Sequence, residues 1–279
     1  MLMETGEFES SRYRDLPLPL FPAFWRKIHK SFKLGQLPVQ RAHDDGILVS
    51  PDSPEAFEEI YWQSIGNHLS EEELSESFSY YISSIAAASG PGKRYISKNN
   101  NNITRLGVLE KICEKTNGVI IIPVRDPLKT AISSHRMHQR FIALQKEDPF
   151  VLEYMNLLGH REFGKGLQWL QIGNAPFKPS YSLQDLSCWL EYWVYIHQRL
   201  LKTKPKFIKI INIDMLRQSP EQQIAEIIKQ CGINLSPKRF IGMIKCDVFP
   251  VVNIKTNVST DLLGKALVLK REIDSAAKM

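Results

Sequence analysis

The segment at residues 119–141, VIIIPVRDPLKTAISSHRMHQRF, constrains the fold more than any other part of the chain. Its apolar start predicts a buried strand that stops at Arg125, and Asp126 and Pro127 are typical of a helix N-cap and first helical residue. An arginine at the carboxyl end of a parallel strand, beside a helix N-terminus, is well placed to bind an anion. The segment therefore predicts either a phosphate site or the solvated basic face of an ordinary α/β helix.

Apolar runs and helical patterns alternate along the rest of the chain. Further short apolar runs predict strands near 94–98 and 207–213. Capping residues and helical periodicity predict helices over 53–64, 71–88, 182–202 and 220–230, with an irregular surface segment over the proline-rich 17–25. This alternation is typical of a parallel sheet covered by helices. At 279 residues the chain fits one large domain or two small ones, and we expect a single α/β domain over residues 1–279.

Composition excludes several classes of protein. Hydrophobic residues make up 43% and charged residues 24% of the chain, and no apolar run approaches the ~20 residues of a membrane span. The acidic N-terminal segment does not resemble a secretory signal, so we expect a cytoplasmic protein without a membrane span. Four cysteines without CxxC spacing predict free thiols, and no set of histidines and carboxylates has the spacing of metal ligands.

The net charge of +6 favours an anionic partner. The basic side chains are scattered and lack interleaved aromatic residues, so an interface with nucleic acid is the weaker interpretation. A modest positive field that attracts an anionic nucleotide is enough to account for the charge.

Three segments follow one another in a recognisable order. Arg125 begins an Arg-Asp-Pro triplet, and Ser133 follows it eight residues later. Upstream, residues 93–109 read KRYISKNNNNITRLGVL, and downstream, residues 207–233 read FIKIINIDMLRQSPEQQIAEIIKQCGI. Together they resemble three segments of the sulfotransferases that use 3′-phosphoadenosine-5′-phosphosulfate (PAPS). The stretches PDSPEAFEEIYW, DPFVLEYM and LGHREFG are similar to a bacterial, carbohydrate-type branch of that family.

The resemblance implies a three-layer α/β/α fold with a parallel sheet, of the P-loop nucleotide-binding-like sulfotransferase type. It implies that Arg125 and Ser133 bind the 3′-phosphate of PAPS. It implies that Lys98 lies near the nucleotide and the acceptor and is catalytic, and that Arg105 binds the nucleotide or the acceptor. The implied reaction moves a sulfuryl group from PAPS to a hydroxyl or amine of a carbohydrate or glycolipid, without a metal. An ordinary surface position is an equally good interpretation of Lys98 and Arg105.

The general base stays open at this point. Several members of the family carry a histidine two residues after the lysine, where this chain has Asn100, which cannot abstract a proton at neutral pH. Other members use a glutamate, for which Glu7 is the candidate. His43 is the competing base, because Asp44 or Asp45 could fix its tautomer.

One part of the family's pattern has no counterpart here. The Gly-rich strand-loop-helix that cradles the 5′-phosphosulfate is missing, and the glycine-containing residues 89–93 predict a turn because they precede a strand. We therefore expect an N-terminally incomplete domain without its first strand and loop. If Met1 is the true start, the chain should bind the nucleotide weakly and show no turnover. A non-catalytic nucleotide-binding remnant of the family is the alternative function, and a basic nucleic-acid-binding protein is the weaker alternative.

Overall fold

A computed structural model describes residues 2–29, 37–40, 48–66, 68–203, 206–244 and 258–276. The strands are β1 (Phe8–Glu9), β2 (Val39–Gln40), β3 (Leu48–Val49), β4 (Arg94–Tyr95), β5 (Ile120–Val124) and β6 (Ile208–Asn212). The α helices are α1 (Pro22–His29), α2 (Glu58–Ile65), α3 (Glu71–Ala87), α4 (Leu106–Thr116), α5 (Pro127–Glu147), α6 (Pro149–Leu157), α7 (Leu186–Thr203), α8 (Ile213–Gln218), α9 (Pro220–Gln230), α10 (Lys238–Ile241) and α11 (Thr260–Ala276). The protein is therefore α/β, with short parallel strand pairs among many helices.

The chain divides into two compact units. Unit 1 comprises residues 1–112 and 148–161, and unit 2 comprises residues 113–147 and 162–279. Within the described ranges, no helix is long and apolar enough to cross a membrane. Three of the four cysteines, Cys113, Cys188 and Cys231, are buried free thiols, as predicted, and Cys246 lies outside the described residues.

Unit 1 is built around one parallel strand pair and an aromatic core. β1 pairs with β4, with Phe8 opposite Arg94. Helices α2, α3 and α4 contribute the buried core residues Tyr61, Trp62, Leu74, Phe78, Tyr81, Ile85, Val108 and Ile112. The helix predicted at 71–88 is confirmed, because Ser70 and Glu73 form a capping box in which each side chain accepts a hydrogen bond from the other's backbone N–H.

Two local predictions for unit 1 are wrong. The helix predicted from Ser53 begins only at Glu58, because backbone groups just before it bond to a distant segment. The Ser53 carbonyl accepts a hydrogen bond from the Tyr13 N–H at 3.2 Å, and the Glu55 N–H donates to Ser11 at 2.9 Å. The stretch 17–25, predicted to be irregular throughout, becomes helical from Pro22, where a proline suits the first turn.

Unit 2 is built around the β5–β6 pair and three long helices. The strands run parallel over five residue pairs, from Ile120 opposite Ile208 to Val124 opposite Asn212. Helices α5, α7 and α11 contribute most of the buried core, which includes Val124, Ala131, Trp189, Leu190, Trp193, Ala266, Leu269 and Ile273. This core packs against β5 and β6 through Val124, Ile122 and Ile210.

The predicted parallel strands are confirmed in part. The strands expected at 119–124 and 207–213 lie side by side as β5 and β6. The strand expected at 94–98 is only two residues long, and it pairs with β1. Within the part of the chain that the structure describes, hydrogen bonds therefore join the three predicted strands into separate pairs and not into one sheet.

Candidate functional site at the ends of β5 and β6

Arg125 lies at the predicted strand-to-helix turn of unit 2. It follows β5 directly, and Asp126 then caps α5, with its Oδ1 accepting a hydrogen bond from the Lys129 N–H at 2.8 Å. The N–H of Asp126 donates in turn to Oδ2 of Asp214 at 2.8 Å. Asp214 belongs to α8, so this bond ties the end of β5 to the helix that follows β6.

The end of β6 is held by a second set of polar contacts. Asn212 caps α8, because its Oδ1 accepts hydrogen bonds from the N–H groups of Asp214 at 2.9 Å and Met215 at 3.1 Å. Its Nδ2 donates to Asp274 of α11 at 2.7 Å. Lys270 donates to both carboxylate oxygens of Asp274, at 2.6 and 2.7 Å. A continuous chain of hydrogen bonds therefore runs from α11 through α8 to the first residues of α5.

The electrostatic surroundings of Arg125 distinguish it from an ordinary surface arginine. Partial burial lowers its pKa, and the nearby guanidinium of Arg217 lowers it further. The carboxylates of Asp214 and Asp126 act in the opposite direction with smaller effects. Arg125 is therefore a partly buried cation at the start of a capped helix, with charges of both signs near it.

Ser133, the predicted partner of Arg125, lies in α5. Six residues separate it from Pro127, which corresponds to about 9 Å along the helix axis. Its side chain is partly buried, whereas Lys129 and Arg136 of the same helix are exposed. The hydroxyl is therefore on the first two turns of the helix that Asp126 opens, and its role in binding stays a prediction.

The segment after β4 in unit 1 carries the other predicted cations. Lys98 lies three residues beyond the end of β4 and is exposed, with its Nζ donating to Oδ1 of Asn100 at 2.9 Å. Arg105 ends a 3₁₀ helix that begins at Asn100, and α4 starts at the next residue. Lys98 therefore lies outside the β1–β4 strand pair, in the irregular segment that follows β4.

Arg105 makes a bidentate ion pair with Glu59 within unit 1. Its Nη1 and Nη2 donate to Oε1 and Oε2 of Glu59 at 2.6 and 3.0 Å, and its guanidinium stacks over the Trp62 ring at 4.6 Å. The side chains are 15% and 7% exposed, so both charges are largely withdrawn from water. These contacts use both terminal nitrogens of Arg105 in holding the fold.

A buried acid, Glu58, lies next to this ion pair and was not predicted from the sequence. Glu58 is fully buried, and it accepts hydrogen bonds from the Ser97 hydroxyl and, at 3.3 Å, from the Tyr95 hydroxyl. Burial raises the pKa of the Glu58 carboxyl, and the charge of Glu59 raises it further. The only signal in the sequence was a pair of adjacent glutamates next to the aromatic Tyr61 and Trp62.

Of the two candidates for the general base, the structure describes only Glu7. Glu7 lies immediately before β1, where its backbone carbonyl accepts a hydrogen bond from the Arg94 N–H at 2.9 Å. Its own N–H donates to Oγ1 of Thr5 at 3.0 Å, so the backbone at this position is fixed. His43 lies outside the described residues. The choice between them stays open.

No family model matches the chain, and neither a curated protein nor a solved structure matches it. Over the described ranges, no group of three or more histidine, cysteine, aspartate or glutamate side chains could hold a metal ion.

Proposed function

We propose that this protein is a PAPS-dependent sulfotransferase that moves a sulfuryl group to a hydroxyl or amine of a carbohydrate or glycolipid. The observation that carries the proposal is the position of Arg125 at the carboxyl end of β5, directly before the capped N-terminus of α5. The parallel β5–β6 pair with its flanking helices supports a three-layer α/β/α arrangement of the P-loop-like sulfotransferase type.

The chemistry of a 3′-phosphate suits this position. A phosphate monoester carries close to two negative charges at neutral pH, and a guanidinium can donate two parallel hydrogen bonds to it. Partial burial of Arg125 strengthens that attraction, and the N–H groups at the start of α5 favour an anion. Ser133 would add one hydrogen bond from a neutral hydroxyl. The 3′-phosphate distinguishes PAPS from most adenine nucleotides, so this contact gives donor specificity.

Sulfuryl transfer resembles phosphoryl transfer, in which catalysis consists mainly of positioning and cationic stabilisation of the leaving group. We assign the stabilising charge to Lys98, which is exposed and therefore accessible. Glu7 or His43 would accept the proton of the acceptor. We leave Arg105 out of nucleotide binding, because both of its terminal nitrogens hold the buried carboxylate of Glu59.

Calorimetric titration with adenosine 3′,5′-bisphosphate and with adenosine 5′-monophosphate tests the binding half of the proposal. We expect the bisphosphate to bind at least about tenfold more tightly, which corresponds to ~1.4 kcal/mol. Equal affinities would contradict a 3′-phosphate site. Tight, salt-dependent binding of RNA or DNA without bisphosphate binding would favour the nucleic-acid alternative.

Transfer of labelled sulfate from PAPS to a panel of carbohydrate and glycolipid acceptors tests the catalytic half. Labelled product supports the enzyme, and a loss of that product in Lys98→Ala that exceeds any loss of bisphosphate affinity supports the role of Lys98. Tight bisphosphate binding without transfer to any acceptor would favour a non-catalytic nucleotide-binding protein.

A further inference from the structure

Two adjacent glutamates at the start of α2 are buried beside the segment that follows β4. Glu58 is 0% exposed and Glu59 is 5% exposed, and a buried carboxyl group needs hydrogen-bond partners. Glu58 accepts a hydrogen bond from the Ser97 hydroxyl. Oε1 of Glu59 accepts one from Nδ2 of Asn99 at 2.6 Å. The two acids therefore hold the residues on either side of Lys98.

Lys98 lies in a segment whose side chains alternate between the interior and solvent. Its two neighbours bond to the buried acids, and Asn101 is buried, with its Nδ2 donating to the Gly159 carbonyl at 3.3 Å. Lys98 and Asn100 are exposed. The backbone of Asn99 is extended, and successive side chains of an extended chain point to opposite sides. Holding the two neighbours inward therefore directs the side chain of Lys98 outward.

Burying two adjacent acids has an electrostatic cost. Burial raises the pKa of the Glu58 carboxyl, and the charge of Glu59 raises it further. Arg105 neutralises Glu59 through two hydrogen bonds, which takes a third ionisable side chain out of water. Apolar side chains of similar volume would fill the same space without this cost, but they could not bond to the neighbours of Lys98. The acids are thus suited to holding that segment and not only to filling the core.

We propose that Glu58 and Glu59 are positioning residues for Lys98, which fix the chain on both sides of it and so set where its ammonium group can reach. This inference rests on the proposed function, in which Lys98 stabilises the leaving group, and it adds the residues that hold Lys98 in place. A lysine side chain has a flexible four-carbon stem, so a fixed backbone is needed to restrict the position of its charge. The hydrogen bond from Nζ to Oδ1 of Asn100 at 2.9 Å restricts it further.

The rate of transfer of labelled sulfate from PAPS, measured in wild type, Ser97→Ala and Asn99→Ser, tests this. Ser97→Ala removes the hydroxyl that bonds to Glu58. Asn99→Ser removes the amide that bonds to Glu59, and the serine can still cap the 3₁₀ helix, as Asn99 does. Ser84→Ala is the matched control, because that hydroxyl bonds to a carbonyl of its own helix, α3. We expect both test variants to be about ten- to a hundredfold slower, and the control to match wild type.

Three further measurements distinguish positioning from a purely structural role. Calorimetric affinity for adenosine 3′,5′-bisphosphate should stay within about twofold of wild type in both test variants, because only the transfer step depends on Lys98. Ser97→Thr keeps the hydroxyl and should recover most of the rate lost in Ser97→Ala. In the Lys98→Ala background, Ser97→Ala should cause no further loss of rate, because the hydroxyl would act only through the lysine.

The outcomes separate this inference from the proposed function. If wild type does not bind the bisphosphate or does not transfer sulfate, the proposed function fails and the inference fails with it. If wild type transfers sulfate and both test variants match Ser84→Ala, only the positioning role is wrong. A loss of rate that is matched by an equal loss of bisphosphate affinity, or that adds fully to the loss in Lys98→Ala, would also overturn the positioning role.

Discussion

Each unit has an arginine between a strand and a helix, and the two arginines have different surroundings. In unit 1, Arg105 follows β4 and is neutralised by Glu59 through two short hydrogen bonds. In unit 2, Arg125 follows β5, and its most influential charged neighbour is another arginine, Arg217. The first arrangement uses a cation to hold the fold, and the second places a partly buried cation at the start of a capped helix, where the proposed function needs it. Arg125 follows β5 directly, whereas Arg105 lies ten residues beyond β4, at the end of a 3₁₀ helix, and distant side chains decide what each arginine contacts.

The largest effect that this contrast predicts is on stability in unit 1. In Arg105→Ala, the buried carboxylate of Glu59 loses its charged partner and keeps the hydrogen bond from Asn99, and removing one member of a buried pair costs about 3–5 kcal/mol. Urea unfolding should show a loss of that order, and the double variant Arg105→Ala with Glu59→Gln should recover part of it. A loss no greater than that of the exposed control Arg271→Ala would mean that Arg105 is available for a ligand, and the contrast would fail.

A second prediction concerns the pH dependence of stability at Glu58. Burial raises the pKa of its carboxyl above the ordinary value of 4.5, so the folded state holds this proton more tightly than the unfolded state. Its contribution to stability is full below pH 4.5 and is lost as the pH rises through the raised pKa. The free energy of unfolding of wild type, minus that of Glu58→Gln, should therefore fall as the pH rises above 4.5. A constant or rising difference would show that Glu58 is ionised in the folded state.

Local signals explain what the sequence predicted correctly. The turn from β5 into α5 depends on Asp126 and Pro127, and the start of α3 depends on a capping box at Ser70, all within a few residues of chain. The start of α2 was misplaced because residues near Ser53 pair with the segment around Tyr13. Tertiary hydrogen bonds there outweigh the local capping preference.

The electrostatics of the sites could not be predicted for the same reason. Glu59 and Arg105 are 46 residues apart in the chain, and no local sequence pattern predicts the contact between their side chains. Arg217 comes near Arg125 only because β6 lies beside β5, which brings α8 to the start of α5. Residue type and spacing predicted the position of Arg125 at the end of a strand. Only the folded structure shows which charged side chains lie near it.

The smallest predicted effect belongs to Ser133 and sharpens the description of the site in unit 2. A neutral hydroxyl gives the phosphate one hydrogen bond, so Ser133→Ala should weaken bisphosphate binding by about 1 kcal/mol. Ser134→Ala on the same helix is the matched control and should bind as wild type. If Ser134→Ala shows the loss and Ser133→Ala does not, the neighbouring serine is the ligand.

The central claim is that Arg125, and not Arg105, binds the donor nucleotide, and calorimetric titration of adenosine 3′,5′-bisphosphate into Arg125→Ala tests it most directly. The loss of two charge-assisted hydrogen bonds should weaken binding by about 2–4 kcal/mol, while the urea midpoint stays close to that of Arg271→Ala. Wild-type affinity in Arg125→Ala would contradict the claim, because the arginine at the end of β5 would then be part of an ordinary strand-to-helix turn.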